Sequence, residues 1–563
     1  MSSRRILRLS VSLLLLIIGM GAGLRVWGLD FGLPYAYHID EPTYVSAALN
    51  LGRGAIARQP NPTNFYNILF AEYALFYLIG RSLSWFGSLA DFEALYRGTP
   101  ATFLFLARIT SAVMGTLNIA VVYWLGKTTR NTLVGIGAAS FLAVSFLHVR
   151  DSHYGVPDVM MTLLVSSAVL LCIVAQRKHS LPILLGASFA AALAFATKWS
   201  ALPVVLPLAL AIRAHLSTFE SARVTKITIV AMVGLAFIFG VTVGFPQVFI
   251  KPEIYLAYMK SEYTSGEAGG FGIWQVDTVP GWVFYLQTLH TGMGTIVAIL
   301  SVVGLIWIIV LAVRERNIRY DVIILLVFPI TYFLLMGSTR HYFVRYALPL
   351  VPFCVVFAAW GIDFLRFLLI RWFRLDGFDW HLRAVVGVIL VAAILWPLIC
   401  SLRFDYLLTQ KDTRTLAKEW IEENIPSGSK IATDWPVHGP PLYTTGDKPI
   451  VPIPASRNVY RVTAIGGSGL SDHNAAYYRE QGYEYLIASS FIYRLRLVNQ
   501  EMEAARSAFY ASLDAEYQLL KEFRPYQGDI APPFAFDDIY GPWLSLFWIE
   551  RPGPVLKIYR VRS

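Results

Sequence analysis

Runs of apolar residues, each near the length of one bilayer crossing and separated by short polar connections, dominate residues 1–402. A spanning helix needs roughly 20 such residues. Eleven runs fit, the shorter ones with help from their flanks: 9–27, 101–125, 134–146, 159–175, 182–196, 201–212, 227–245, 292–312, 322–336, 346–365 and 384–402. A further segment, 65–86, is apolar enough to cross but is interrupted by Glu72 and Arg81, which fits an amphipathic helix lying at the interface. Beyond 402 charge rises, Pro and Gly appear, and long apolar runs stop. There, 412–424 predicts an amphipathic helix stopped by Pro426-Ser427-Gly428, 430–433 and 485–488 predict strands, 500–523 a helix and 555–562 a last strand. The expected fold is mainly α. A polytopic membrane helical bundle of about 11 spanning helices, with interfacial helices on its outer face, occupies 1–402, and a small C-terminal α/β extracytoplasmic domain occupies 403–563.

Composition narrows this picture. Of 563 residues, 56% are hydrophobic and 15% charged, against about a quarter charged in a soluble domain. A soluble globule is excluded, and so is a disordered chain, which would be poor in apolar and aromatic residues. The net charge is +10. In a soluble protein that surplus would suggest nucleic acid, but here it sits in the connections 127–130, 176–179, 213–226, 314–321 and 366–383. Basic loops stay in the cytoplasm, and with eleven crossings all five fall on that side. The reading is a multi-pass plasma-membrane protein with a cytoplasmic N-terminus. Its partner is the lipid bilayer, with no nucleic acid expected. Were 65–86 to cross, all five basic loops would face outward, so it is expected to lie on the outer face. Cys172, Cys354 and Cys400 lie in apolar runs without metal-ligand spacing, and packing is their expected role.

The remaining ionisable residues collect on the outer side, and such groups at membrane depth are functional candidates. His38, Asp40 and Glu41 follow the first span. His148, Arg150, Asp151, His153, Tyr154 and Asp158 lie between the third and fourth, Lys198 between the fifth and sixth, and Arg340, His341 and Arg345 after the ninth. Asp40-Glu41-Pro42 suits a helix start and equally a carboxylate general base. Asp158 is either a favourable charge in a first helical turn or an acid–base group. Lys198 and Arg345 are either snorkelling cations or charges for a lipid phosphate, which an arginine grips through two oxygens. Trp274, among glycines, belongs to an aromatic belt or stacks on a sugar. No cofactor is assigned. A divalent metal held by His153 with Asp40 or Asp158 is a candidate by donor type, without a recognised spacing. No phosphate-cradling Walker loop or dinucleotide fingerprint is present, so a nucleotide-sugar donor is not expected.

Several motifs then recur in order. They are Asp40-Glu41-x-x-Tyr44-x-x-x-Ala48-x-x-Leu51-x-x-Gly54, Asn61-Pro62-x-x-Phe65, Ala107-Arg108, Tyr123-x-Leu125-Gly126-Lys127 and Ser152-His153-Tyr154-x-x-Pro157-Asp158. Thr197-Lys198-Trp199-Ser200, Arg345-Tyr346-x-Leu348-Pro349-x-x-Pro352 and Asp412-x-Arg414-x-x-Ala417-x-x-Trp420-Ile421 follow. Together, over about residues 1–430, they resemble the GT-C-type integral membrane glycosyltransferases, in particular the protein O-mannosyltransferase and lipid A aminoarabinose transferase group. The resemblance implies a hexosyl- or pentosyltransferase. It would move a sugar, with inversion, from a polyprenyl-phosphate-linked donor to an acceptor hydroxyl at the outer face of the membrane. Asp40 would be the general base, with Glu41 and Asp158 as further catalytic candidates and a catalytic outer loop at about 28–100. Lys198, Arg345 and Arg150 would meet the donor phosphate, and His38, Tyr44, His153, Tyr154, His341 and Trp274 would bind substrate.

One departure stands out. Some lipid A transferases carry a Glu-Lys-Pro-Pro element after the first motif. Here 64–70 reads Asn-Phe-Tyr-Asn-Ile-Leu-Phe, so neither a metal ligand nor a phosphate-binding lysine carries over. The acceptor stays open between lipid, glycan and protein. The alternative class is a flippase or transporter of a lipid-linked sugar, but inverted repeats and broken midplane helices are not apparent. The absence of a Trp-Trp-Asp-Tyr-Gly run speaks against an oligosaccharyltransferase.

Overall fold

The computed structural model describes residues 3–53, 62, 64–217, 223–268, 270–271, 274–275, 279–314, 320–340, 342–373, 380–435, 437–444, 452–454, 456 and 458–561. Helix α1 (Ser3–Val26) is followed by three shorter helices, α2 (Glu41–Gly52), α3 (Asn64–Ser82) and α4 (Leu89–Gly98). Then come α5 (Ala101–Thr129), α6 (Thr132–Val144), the short α7 (Phe146–Asp151), α8 (Asp158–Lys178) and α9 (Leu181–Thr197). Helix α10 (Val205–Leu216) is entered through a 3-10 turn, Trp199–Val204, and α11 (Arg223–Gly244) follows. A long connection holds α12 (Gln247–Ile250), α13 (Pro252–Ala268), β1 (Gly270–Phe271), β2 (Trp274–Gln275) and α14 (Gly281–Met293). The bundle closes with α15 (Thr295–Arg314), α16 (Tyr320–Gly337), α17 (Val351–Phe373) and α18 (Trp380–Leu408).

Among the described residues nine helices are long and apolar enough to cross a membrane, and α6 and α9 are shorter apolar helices. Together they reproduce the eleven expected spans. Lipid tails are as apolar as leucine, so close backbone approach does much of the packing. A Cβ on Gly304 of α15 would lie 1.8 Å from the Phe357 carbonyl oxygen, and one on Gly361 of α17 would lie 2.4 Å from that of Leu300. Only glycine at both positions lets these two helices touch.

Helix α3 is not among the nine, and its contacts show how it runs. Asn64 Nδ2 donates to Leu193 O (3.2 Å) and Thr197 Oγ1 (2.9 Å), at the end of α9. Asn67 Nδ2 donates to Gly244 O (3.0 Å), the last residue of α11. Tyr73 Oη donates to Phe103 O (2.9 Å), at the start of α5. All these partners sit at one end of the bundle, so α3 lies across that end rather than through it.

The same end receives the C-terminal domain. It comprises α19 (Thr413–Asn424), β3 (Lys430–Asp434), β4 (Arg461–Ile465), α20 (Ala475–Glu480), β5 (Tyr485–Ser489), α21 (Ser490–Tyr493), β6 (Arg496–Leu497), α22 (Gln500–Glu516), β7 (Gln518–Phe523) and β8 (Leu556–Arg560). Asp412 caps α19, its side chain accepting from the Arg414 N–H. The main sheet has the order β4-β3-β5-β8-β7, parallel across β4, β3 and β5 and antiparallel at β8. Strand alternation sends Ile431, Ile487 and Ile558 to Ala417 and Ile421 of α19. It sends Ala432, Leu486 and Tyr559 to Leu513 of α22 on the opposite face.

Two expectations are corrected. The helix expected over 500–523 ends at Glu516, and Gln518–Phe523 is strand β7. Gln, Leu, Lys and Glu favour helix, but pairing with β8 from Gln518↔Arg560 to Phe523↔Leu556 overrides that preference. In addition, α18 continues past residue 402 to Leu408, so the bundle's last helix rises into what the sequence pattern assigns to the tail.

Candidate active site at the bundle end

Asp40 stands at the start of α2 but does not cap it. Its backbone is helical (φ −90°, ψ −25°) and its side chain makes no capping hydrogen bond. The carboxylate instead meets Arg345, Oδ2 to Nη1 at 3.0 Å, and stays 32% exposed. The contact lies off the line of a hydrogen bond, so among the described residues Nη1 keeps an unspent donor. The Arg345 guanidinium is held in place by aromatic rings, 4.3 Å from the Tyr540 centroid and 4.7 Å from that of Phe343.

A second acid–base pair lies alongside. Lys198 Nζ is 2.6 Å from Asp158 Oδ1 and 4.4 Å from the Tyr346 ring, which Arg345 approaches from 5.8 Å. Tyr346 thus sits between the two cations. Asp158 also lies within the field of Arg345, and Tyr44 within that of Asp40, Asp158 and Arg345. Asp40, Tyr44, Asp158, Lys198 and Arg345, separated by up to 305 positions in sequence, therefore assemble at one end of the bundle. His38 supports them. Its Nδ1 accepts the Asp40 N–H (3.2 Å), its ring stacks on Tyr154 at 4.4 Å, and burial pushes its pKa well below the ordinary value. A cavity of ≈ 70 Å³ opens beside this cluster, lined by His38, Tyr154 and Tyr540 and, from the C-terminal domain, Arg414 and Phe534.

Other candidates go elsewhere. Glu41 is fully buried against Arg108 (Oε2 to Nη2 2.8 Å) and accepts the Gly155 N–H at 2.9 Å. It clamps α2 to α5 and the turn before α8. Arg150 makes no contact with Asp40, Lys198 or Arg345 among the described residues. It is buried and donates to Asp537 O (3.2 Å) and Gly541 O (3.1 Å), with Asp151 at 3.1 Å. His153 is enclosed, its two ring nitrogens 2.9 and 3.0 Å from the carbonyl oxygens of Val149 and Trp27, so it does not join Asp40 or Asp158 as a metal ligand. Among the described residues no group of three or more His, Cys, Asp or Glu side chains is placed to hold a metal. Trp274 lies in β2, paired with Leu497 of β6, its ring 5.8 Å from the Arg506 guanidinium. It ties the long connection to the C-terminal domain, away from Asp40. His341 lies outside the described residues.

The sequence pattern did not single out Tyr540 and Asp537. Asp537 Oδ1 accepts the Val344 N–H at 3.0 Å, next to Arg345, and burial pushes its carboxyl up to about 7 against the pull of Arg150 and Arg345. The available signal was compositional: 534–543 reads Phe-Ala-Phe-Asp-Asp-Ile-Tyr-Gly-Pro-Trp, an aromatic stretch within a charged tail.

Among the described residues, a bundle of nine long and two shorter apolar helices, with surface helices between the first two spans and an α/β domain seated on the same end, has the fold of the GT-C-type integral membrane glycosyltransferases that the motifs resemble. Residues 103–243 match the family model described as dolichyl-phosphate-mannose-protein mannosyltransferase. That segment contains Arg108, Asp158 and Lys198. The fold resembles the oligosaccharyltransferase of Archaeoglobus fulgidus in its apo form, with a TM-score of 0.55 and 12% identity, covering 98% of this chain and 88% of that one. It also resembles the oligosaccharyltransferase AglB of the same organism in complex with an inhibitory peptide and a dolichol-phosphate, with a TM-score of 0.53 and 14% identity, covering 92% and 73%. ArnT from Cupriavidus metallidurans bound to undecaprenyl phosphate aligns over 99% of this chain and 98% of its own, with 13% identity and a TM-score of 0.46. No curated protein matches by sequence.

Proposed function

We propose that the protein transfers a sugar from a polyprenyl-phosphate-linked donor to an acceptor hydroxyl, with Asp40 as general base. The observation that carries this reading is the meeting of Asp40 with Arg345, beside Lys198 and Asp158, at the membrane edge. In the reaction, the acceptor oxygen forms its bond to the anomeric carbon while the bond from that carbon to the phosphate oxygen breaks. The acceptor proton goes to Asp40, and inversion follows from the single displacement. The departing polyprenyl phosphate gains negative charge at the leaving oxygen, which the fixed Arg345 and Lys198 cations stabilise. The unspent donor of Arg345 Nη1 suits a phosphate oxygen. Asp158 holds the lysine in place, and Tyr44 and His38 shape the acceptor side. Likeness to proteins whose descriptions include dolichol-phosphate and dolichyl-phosphate-mannose supports a lipid-phosphate donor. The five basic connections on the opposite end of the bundle support an extracytoplasmic site in the plasma membrane.

The test is release of polyprenyl phosphate from a labelled lipid-linked sugar by the reconstituted protein. Asp40→Asn is expected to lower transfer about 10²–10⁴-fold, the usual worth of a general base, without loss of folding. Normal transfer by folded Asp40→Asn protein would remove the proposed base. Lipid translocation without sugar release would replace the transferase by a flippase.

A further inference from the structure

The excursion between β7 and β8 carries Asp537 and Tyr540 to the site, and then turns outward. Leu544, Phe547 and Trp548 there are 46%, 48% and 56% exposed. Three large apolar side chains at one tip are costly to hydrate. The turn beneath them is held by a few defined hydrogen bonds. Trp548 N donates to Ser545 O at 2.8 Å and Ile549 N to the same oxygen at 3.3 Å. Trp543 N and Ser545 Oγ both donate to Asp538 Oδ1, at 2.8 and 2.7 Å. Arg403 Nη2 donates to Ile549 O at 2.5 Å, and its Nε donates to Leu546 O at 3.4 Å. These bonds fix the turn so that its apolar side chains face outward together, at a depth where the unpaired backbone groups of the tip still meet the polar interface.

The position of the tip identifies the medium. Phe547 stacks on Trp396 of α18, centroids 5.5 Å apart and planes 25° apart. Trp396 is itself 52% exposed, with Leu395 and Ile399 exposed beside it, inside the apolar run 384–402. It precedes Arg403 by two helical turns, about 10 Å along the axis at 1.5 Å per residue. The Phe547 ring is therefore level with the lipid-facing surface of a spanning helix. Arg403 sits nearer the C-terminal end of α18, where a cation whose stem lies along apolar surface keeps its head polar. Tryptophan at such a level is typical of bilayer interfaces, and phenylalanine and leucine of the apolar face of a segment lying in one.

We propose that residues 544–548 form a membrane-inserted tip through which the C-terminal domain rests on lipid, its partner being the glycerol and upper acyl-chain region of the bilayer. The tip follows Tyr540 by only a few residues, so lipid contact fixes the height at which the domain meets Arg345. The proposal concerns placement alone and stands whether or not the protein transfers sugar.

The experiment uses the full chain reconstituted in phosphatidylcholine–phosphatidylglycerol vesicles. A fluorophore on Trp548→Cys, or on Leu544→Cys, is compared with one on Ile530→Cys. Ile530 lies in the same excursion and is 77% exposed, and the unsubstituted protein supplies the background from native thiols. Labels at 548 and 544 are expected to be quenched by lipids carrying a nitroxide on the upper acyl chain, and to be several-fold less sensitive to aqueous iodide than the label at 530. Iodide quenching at 548 equal to that at 530, without quenching by lipid, would overturn the proposal in favour of solvent. Protection from both quenchers, with disulfide-linked dimers through position 548, would overturn it in favour of a second copy of the chain.

Discussion

Glu41 and Arg108 form an ion pair with no exposure on either side chain. The arginine's Nη1 donates in addition to Leu29 O and Phe31 O, at 2.9 and 2.8 Å. Burying two charges is expensive, and breaking such a pair from one side costs about 3–5 kcal/mol because a buried charge is left uncompensated. Glu41→Gln is therefore expected to lower the thermal midpoint sharply in detergent, while Asp40→Asn, at a half-exposed carboxylate, keeps it. A Glu41→Gln protein with normal stability and no turnover would instead make Glu41 a participant in the chemistry. Asp434, in β3, makes a different kind of prediction. Burial pushes its carboxyl up to about 6, although the Leu470 and Ser489 N–H groups and the Tyr510 hydroxyl all donate to it. The folded state then takes up a proton between about pH 6 and the unfolded value near 3.9, where the unfolded state does not. The contribution of Asp434 to stability is fully present below that unfolded value and is lost as pH rises through 6. Unfolding of the C-terminal domain followed across this range should show that slope, and Asp434→Asn should flatten it. An unchanged slope would mean that another group carries it.

The turn after Asp537 is the element that joins the two halves of the site. A Cβ on Gly541 would lie 1.9 Å from Tyr154 Oη and 2.9 Å from Cζ, and Tyr154 is buried with its ring against His38 and Phe31. Gly541→Ala is expected to lift this turn. Arg150 then loses its two carbonyl acceptors and Arg345 its Tyr540 ring, so transfer falls while the sheet of the C-terminal domain stays folded. Adding Tyr154→Phe removes the nearer clash and should restore part of the activity. No restoration would place the cost in the backbone of residue 541, whose φ of +150° disfavours a side chain, rather than in the Tyr154 contact. The sequence made the spans legible because a bilayer-length apolar run has few other solutions. It pointed to Asp40, Asp158, Lys198 and Arg345 because charge is scarce at a membrane edge. The same scarcity marks structural clamps equally well, which is why Arg150 and His153 read as substrate contacts. Nothing local distinguishes an arginine that keeps a donor for a ligand from one that meets a carbonyl 387 positions away. Tyr540 and Asp537 escaped notice because an α/β tail of ordinary polarity gives no such contrast, and β7 because helix-favouring residues were recruited by pairing with β8.

At the scale of the whole molecule, the parity of the bundle decides where the chemistry takes place. The starts of α5, α8 and α17 and the ends of α1, α9 and α18 gather at the end that carries Asp40, Lys198 and the C-terminal domain, and α3 lies across it through Asn64, Asn67 and Tyr73. The opposite end holds the basic connections, where Arg130 pairs with Asp363 at 2.8 Å and Arg177 with Asp321. Because positive charge is retained in the cytoplasm, we propose that the site and the tail share the outer compartment, together with the segment between α3 and α5. Cysteines introduced at Asp91, in α4, and at Glu480, at the end of α20, should react with an impermeant reagent added outside intact cells. One at Lys178, in the last turn of α8, should react only after permeabilisation. If a cysteine at Asp30, between α1 and α3, were labelled from outside while those at Asp91 and Glu480 were labelled solely from the cytoplasm, α3 would cross the membrane and the number of crossings would become even. Asp40 would then be separated by a bilayer from the Arg345 it meets, a contradiction with the 3.0 Å contact that makes the experiment a test of the site as well as of the topology.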